Sequence, residues 1–119
     1  ISHPPRHVRL VSRARAPEPA DTPADRLREG SGEARVWNAF SDPSGRFHVG
    51  HWQAEPGVID VDYSETELCV LIEGSARLTD DSGSVTFGPG AAFLIEHGFR
   101  GTWESIGRVT KIYAILDAG

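Results

Sequence analysis

From residue 34 to residue 116 the chain consists of short apolar or alternating stretches, each ended by glycine, proline, aspartate or serine. Residues 58–63 alternate between apolar and polar side chains, which is typical of a strand with one buried face. The middle of residues 67–73 is nearly all apolar, as in a strand buried on both faces. The stretches predicted as strands are 35–40, 47–53, 58–63, 67–73, 75–79, 84–87, 91–95, 101–104 and 108–116. Short strands separated by regular turns predict an all-β sandwich or barrel.

The length of 119 residues predicts a single domain, because domains of roughly 100–200 residues usually carry one core. Residues 1–22 contain four prolines and no hydrophobic period, which predicts an extended N-terminal arm. The remaining residues, 23–119, form the single predicted domain. Pro23 suits the first position of a helix and Gly30 the end of one, so the sequence predicts one short helix over residues 23–29.

The charge of the chain limits its partners. It carries 17 acidic and 12 basic residues, a formal net charge of −5, which predicts no nucleic-acid partner because phosphate binding needs clustered basic residues. Residues 1–16 hold four arginines and no acid, so the arm is either solvated or in contact with an acidic partner. No apolar run approaches the ~18 residues of a membrane span, which predicts no membrane partner. Cys69, the single cysteine, is predicted to be a core residue, and the chain is predicted to be cytoplasmic.

Several motifs follow Glu67 at characteristic spacing. Glu67 opens an apolar stretch that ends at Gly74, and a Gly-Pro-Gly turn follows at residues 88–90. Residues 98–104 then read Gly-Phe-Arg-Gly-Thr-Trp-Glu. These motifs resemble the cupin superfamily and, more narrowly, the small single-domain cupins similar to ureidoglycine aminohydrolase and the ethanolamine-utilisation cupin. The resemblance covers about residues 27–116 and implies a jelly-roll β-barrel.

The resemblance also locates the positions where metal-binding cupins carry three histidines and a glutamate. Glu67 matches the glutamate. The histidine positions fall on Asp60 and Asp62 in one register or Val61 and Tyr63 in the other, and on Gly101. No tightly bound transition metal and no other cofactor are therefore expected. A site for a hard divalent cation made of Asp60, Asp62 and Glu67 is the alternative.

The same resemblance turns the side chain of Glu67 into the barrel, where it would act as a general base or as the sole anionic ligand. The predicted ligand-binding residues are Tyr63, Glu67, Trp103, Lys111 and Tyr113. Glu65 and His97 are predicted to assist Glu67 in catalysis. Lys111, the only lysine, is a buried partner of Glu67 or Glu104, an anchor for a substrate carboxylate, or a solvent-facing residue.

Three functions remain open at this point. The first is binding of a small polar metabolite in the barrel. The second, implied only by the resemblance, is an enzyme acting on a nitrogenous or amino-alcohol-derived metabolite. The third is a non-catalytic structural or regulatory dimer module. A homodimer is expected in each case, because cupin barrels commonly pair through sheet edges and residues 7–11 could add a strand to a neighbour's sheet.

Overall fold

The computed structural model describes residues 5–117 and is almost entirely β-structure. The strands are β1 Glu18–Pro19, β2 Leu27–Gly30, β3 Ala34–Ser41, β4 Phe47–Ala54, β5 Gly57–Asp62, β6 Thr66–Asp80, β7 Gly83–Phe87, β8 Ala92–Ile95 and β9 Arg100–Leu116. One turn of 3₁₀-helix, Ala24–Arg26, lies between β1 and β2. No helix within residues 5–117 is long and apolar enough to cross a membrane. These elements confirm the predicted all-β class.

A single antiparallel sheet curls into two layers that share β6 and β9, the two longest strands. The N-terminal half of β6 and the C-terminal half of β9 belong to one layer, together with β1, β3, β4 and β8. The other halves of β6 and β9 belong to the second layer, together with β2, β5 and β7. The result is the jelly-roll barrel that the sequence motifs imply.

Strand β6 passes from one layer to the other at Gly74. The φ angle of Gly74 is +75°, in the left-handed region, and a Cβ atom there would lie 2.2 Å from the carbonyl oxygen of Arg108. The register of β6 on β9 shifts between Leu71 and Ser75, so the strand bends while it keeps its partner. Glycine is therefore required at this corner of the barrel.

Two pairs of predicted strands are continuous in the structure. Strand β6 covers the predicted strands 67–73 and 75–79, and β9 covers 101–104 and 108–116. The glycines between them predict turns, whereas Gly74 and Gly107, both with positive φ, lie within strands that continue.

The N-terminal elements differ more from expectation. The helix predicted over residues 23–29 ends at Arg26, and Leu27–Gly30 pairs with β5 as a strand. Hydrogen bonds to β5 thus replace those of a second helical turn. The arm pairs through β1 with β3, while residues 7–11 form no strand within the described part of the chain. The predicted boundary between the arm, residues 1–22, and the domain, residues 23–119, stays a prediction.

The hydrophobic core lies between the two layers. Its buried members are Cys69, Leu71, Ala76, Leu78, Phe93, Ile95, Trp103 and Val109. Trp52, Ile59, Val61 and Tyr63 are partly buried and pack against this cluster. These four side chains contact the core on one side and line a cavity on the other.

Candidate functional site

A cavity of about 450 Å³ opens between the two layers beside the core. Its lining includes all five of the predicted ligand-binding residues, Tyr63, Glu67, Trp103, Lys111 and Tyr113. Apolar side chains complete much of the wall, namely Val36, Ile59, Val61 and Ile115. Apolar walls with a few convergent polar groups, at this volume, are typical of a small-molecule site.

Glu67 and Lys111 form an ion pair in this cavity. The Nζ atom of Lys111 lies 2.6 Å from Oε2 of Glu67, and each side chain is only 7% exposed. Of the alternatives for Lys111, the structure thus shows the buried partner of Glu67. Burial alone would lower the pKa of Lys111, but the carboxylate of Glu67 raises it above its ordinary value and keeps the ammonium charged.

The ammonium of Lys111 also lies between two tryptophan rings. Its Nζ atom is 4.8 Å from the centre of the Trp52 ring and 4.4 Å from that of Trp103. The two rings meet edge to face, with centres 5.6 Å apart, and Nε1 of Trp103 donates a hydrogen bond to Oγ of Ser105 at 2.9 Å. These cation–π contacts replace part of the hydration that Lys111 loses on burial.

Cys69 lies beside the ion pair. Its Sγ donates to Oε2 of Glu67 at 3.3 Å, and Nζ of Lys111 is 3.7 Å away. Burial raises the pKa of the Cys69 thiol to about 12, so the thiol stays protonated at neutral pH and is a poor nucleophile. Burial likewise raises the pKa of Tyr63, and its hydrogen bond with Glu67 adds to this effect, so Tyr63 remains a neutral hydrogen-bonding group.

The segment at residues 98–104 positions two walls of the cavity. The backbone N–H of Tyr63 donates to the carbonyl of Phe99, and the N–H of Gly98 donates to the carbonyl of Tyr63, each at 2.8 Å. The Tyr63 and Phe99 rings pack with their centres 6.3 Å apart. Trp103 on β9, four residues after Phe99 in the sequence, forms the second wall. The motif at residues 98–104 therefore contributes in two ways: Gly98 and Phe99 hold Tyr63 in position, and Trp103 lines the cavity.

Tyr113 and Asn38 form a second polar region of the cavity. The hydroxyl of Tyr113 donates to Oδ1 of Asn38 at 2.7 Å. A Cβ atom at residue 50 would lie 2.5 Å from the Tyr113 hydroxyl, so Gly50 provides the space that this side chain occupies. Burial, followed by the charge of Glu67, raises the pKa of Tyr113 to about 12.

Asn38, His48 and Trp52 line the cavity but are absent from the predicted ligand-binding residues. His48 and Trp52 are four residues apart on β4, and period-two alternation along the strand was a usable signal for both. Asn38 carries no such signal. It lies next to a register shift between Asn38 and Phe40 on β3, which the sequence does not reveal.

Glu65 and His97 are not brought to this cavity. Glu65 lies in the connection between β5 and β6, outside the cavity lining. His97 is exposed beside a different depression, lined in part by Phe87 and Phe93. Their catalytic roles stay predictions.

The alternative carboxylate set is also separated. On β5, Oδ1 of Asp60 lies 2.6 Å from Nε of Arg28, and Oδ2 of Asp62 lies 3.1 Å from Nη2 of Arg100. Both aspartates line a surface depression that does not include Glu67. Successive residues of a strand point to opposite faces, so Asp60 and Asp62 point away from the cavity that Ile59, Val61 and Glu67 line.

The fold and the site together define the class of the protein: a jelly-roll barrel with a glutamate-bearing cavity between its layers is a cupin. The EutQ-like cupin domain family matches residues 41–113, more than half of the chain. The protein belongs to this family.

Solved structures agree with this assignment. A protein with unknown function from Pseudomonas syringae pv. tomato superposes with a TM-score of 0.77 at 26% identity, over 88% of this chain and 46% of that one. This chain thus spans about half of that relative. The Clostridium difficile EutQ protein gives 0.65 at 18% identity, over 84% of this chain and 82% of that one. A putative ethanolamine utilization protein from Salmonella typhimurium gives 0.65 at 13% identity, over 87% and 99%. No curated protein matches the sequence.

The metal that many cupins hold does not fit the residues present here. The carboxylate of Glu67 is bound to Lys111. In the register that places the first two imidazole positions inward, they hold Val61 of β5 and Tyr63 just after β5. The third position holds Gly101 of β9, and none of the three offers a nitrogen ligand. Within residues 5–117, no three His, Cys, Asp or Glu side chains are grouped closely enough to hold a metal ion.

Proposed function

We propose that this EutQ-like cupin binds a small polar metabolite in the cavity of Glu67 and Lys111. The observation that carries the proposal is an ion pair that is shielded from bulk solvent but lines a cavity of about 450 Å³ with largely apolar walls. Burial of each charge costs roughly several kcal/mol of desolvation free energy. A pair of apolar side chains of similar size therefore usually stabilises a core more than a buried ion pair does. A barrel with a purely structural role has no need of this pair.

The ion pair sets what the cavity can recognise. Glu67 offers acceptor oxygens and Lys111 offers N–H donors, while Tyr63 adds a neutral hydroxyl. Since the charges of Glu67 and Lys111 cancel, the pair suits a neutral hydrogen-bonding group such as a hydroxyl, amide or urea. The rings of Trp52 and Trp103 and the side chain of Ile59 would pack against the apolar part of the ligand.

A thermal-shift screen tests this proposal. The panel contains small hydroxy acids, primary amides, ureas and amino alcohols, and each compound that raises the Tm of the wild type is repeated on two variants. Val61→Phe fills the cavity, and Val58→Phe, three residues earlier on β5 and outside the cavity lining, is the matched control. We expect binding to be lost in V61F and kept in V58F. Absence of any shift, or equal shifts in all three proteins, would contradict the proposal.

We also propose that the protein is a homodimer. Leu68 on β6 and Leu94 on β8 are cross-strand partners and are 43% and 58% exposed, so they form a continuous apolar surface. Among the described strands β8 pairs only with β6, which leaves one of its edges open. The arm adds Val8 and Leu10, 67% and 83% exposed, among its arginines. A second copy, with its acidic body and apolar β6–β8 face, complements this arm in charge and hydrophobicity.

A further inference from the structure

The N-terminal arm runs beside the cavity. Nε1 of Trp37 donates to the carbonyl of Arg15 at 2.8 Å, and Nη2 of Arg15 donates to the carbonyl of Asn38. Strand β1 then pairs with β3, and Ala20, the residue after β1, lines the cavity. Residues 15–20 therefore follow the edge of β3, and the guanidinium of Arg15 is held at the residue whose side chain bonds Tyr113.

The guanidinium of Arg15 is exposed and lies outside the cavity lining, next to it at the backbone of Asn38. Arg15 is one of the groups that lower the pKa of Tyr113, against the larger opposing effects of burial and Glu67. Tyr113 lines the cavity and bonds the side chain of Asn38, so the positive charge lies next to the polar region formed by these two side chains.

Arg15 has no acidic partner, in contrast to the cation inside the cavity. Arg15 forms no ion pair with any residue of the described chain, and its bond to Asn38 uses a neutral carbonyl. Lys111 is already neutralised by Glu67. An anionic group of a ligand bound at Tyr113 and Asn38 would therefore lie near the uncompensated charge of Arg15, whereas the charge of Lys111 is already paired.

We infer that Arg15 is a specificity-determining residue and that the ligand is a small carboxylate. Its carboxylate lies at Arg15, its neutral polar group lies at Glu67 and Lys111, and its apolar body lies against the walls between them. A guanidinium forms charge-assisted, often bidentate hydrogen bonds with a carboxylate, which a neutral amide cannot match. This inference rests on the proposed function, since it assumes that the cavity is the binding site.

Matched acid and amide probes test the inference. The probes are 4-hydroxybenzoate with 4-hydroxybenzamide and 6-hydroxyhexanoate with 6-hydroxyhexanamide, titrated at low salt and followed by tryptophan fluorescence, since Trp52 and Trp103 line the cavity. In the wild type we expect each acid to bind about tenfold more tightly than its amide, which corresponds to about 1.4 kcal/mol. Arg15→Gln should bring this ratio close to one without weakening the amides.

Arg9→Gln is the control, because Arg9 is another exposed arginine of the arm, held over the Phe40 ring at 5.3 Å. It should keep the preference for acids, and Arg15→Lys should keep part of it. If the amides bind but the acids have no advantage, or if R15Q keeps the preference, the inference is wrong and the proposed function stands. If neither the acids nor the amides bind R15Q, the inference is also wrong, because Arg15 then supports the structure of the site rather than its specificity. If no probe binds the wild type, both the inference and the proposed function fail.

Discussion

Lys111 and Glu67 meet at 2.6 Å although they are not cross-strand neighbours. In the register of β6 on β9, Lys111 lies opposite Leu71 and Glu67 lies opposite Ile115. The lysine side chain therefore runs along the strands and passes Cys69, whose sulfur is 3.7 Å from its Nζ atom. A long unbranched side chain is needed to span this offset. The ion pair consequently links β6 to β9 at two positions that are not directly opposite each other.

Replacing Lys111 by methionine should destabilise the fold by about 3–5 kcal/mol, because it leaves the carboxylate of Glu67 buried without a partner. Urea unfolding at pH 7 measures the change. The double variant E67Q/K111M, which removes both charges, should recover much of the loss. If K111M costs no more than the double variant, the pair does not compensate the burial of Glu67.

Alkaline pH should destabilise the protein over a range in which its arginines stay charged. The pKa of Cys69 rises from 9.0 to about 12 on folding, and that of Tyr113 from 10.0 to about 12. The unfolded chain therefore loses these protons at lower pH than the folded one, and the free energy of unfolding falls as the pH rises from about 9 to 12. The slope is about 1.4 kcal/mol per pH unit for each such group.

Urea unfolding from pH 8 to pH 11 checks this expectation, with Cys69→Ala as the comparison. In C69A the decline should begin near the ordinary pKa of tyrosine, 10.0, rather than near that of cysteine, 9.0. Equal pH profiles for C69A and the wild type would show that the Cys69 thiol titrates as freely when folded as when unfolded.

The corner glycine of β6 allows a test with a well-matched control. Gly74 and Gly45 both have φ of +75°, but a Cβ atom at Gly74 would lie 2.2 Å from a carbonyl oxygen, whereas nothing lies within 4 Å at Gly45. Gly45→Ala should cost about 1 kcal/mol from the left-handed backbone alone. Gly74→Ala should cost more than about 3 kcal/mol, as measured by urea unfolding. Similar losses would mean that the corner relaxes around the added methyl group.

The strands were predictable because their alternation and turn residues are local signals. Residues 58–63 alternate as a half-buried strand should, and β5 spans Gly57–Asp62. The continuity of β6 through Gly74 was not predictable, because a glycine with positive φ marks a turn as readily as a bend. Strand β2 was missed for a related reason: an edge pairing with β5 overrode the local helix signal at Pro23.

The site was predictable where motif and chemistry coincide. Glu67 and Trp103 lie in motifs, and Lys111 stands out as the only lysine. The separation of Asp60 from Glu67 depends on which face of β5 turns inward, and the spacing of the motifs is compatible with either face. The position of Arg15 depends on a long-range contact of the arm with β3, and no local pattern encodes it.

Light scattering should give a mass of twice 12.9 kDa for the wild type, because the β6–β8 face and the arm both expose apolar side chains that a second copy would cover. Leu94→Lys places a charge at the centre of this face and should yield monomers. Ile106→Lys is the matched control, since Ile106 is 40% exposed but lies in the half of β9 that belongs to the other layer. Deletion of residues 1–16 separates the contribution of the arm while keeping β1 and Ala20 in place. If L94K stays dimeric while the deletion is monomeric, the arm alone holds the dimer. A wild type of 12.9 kDa contradicts the dimer outright.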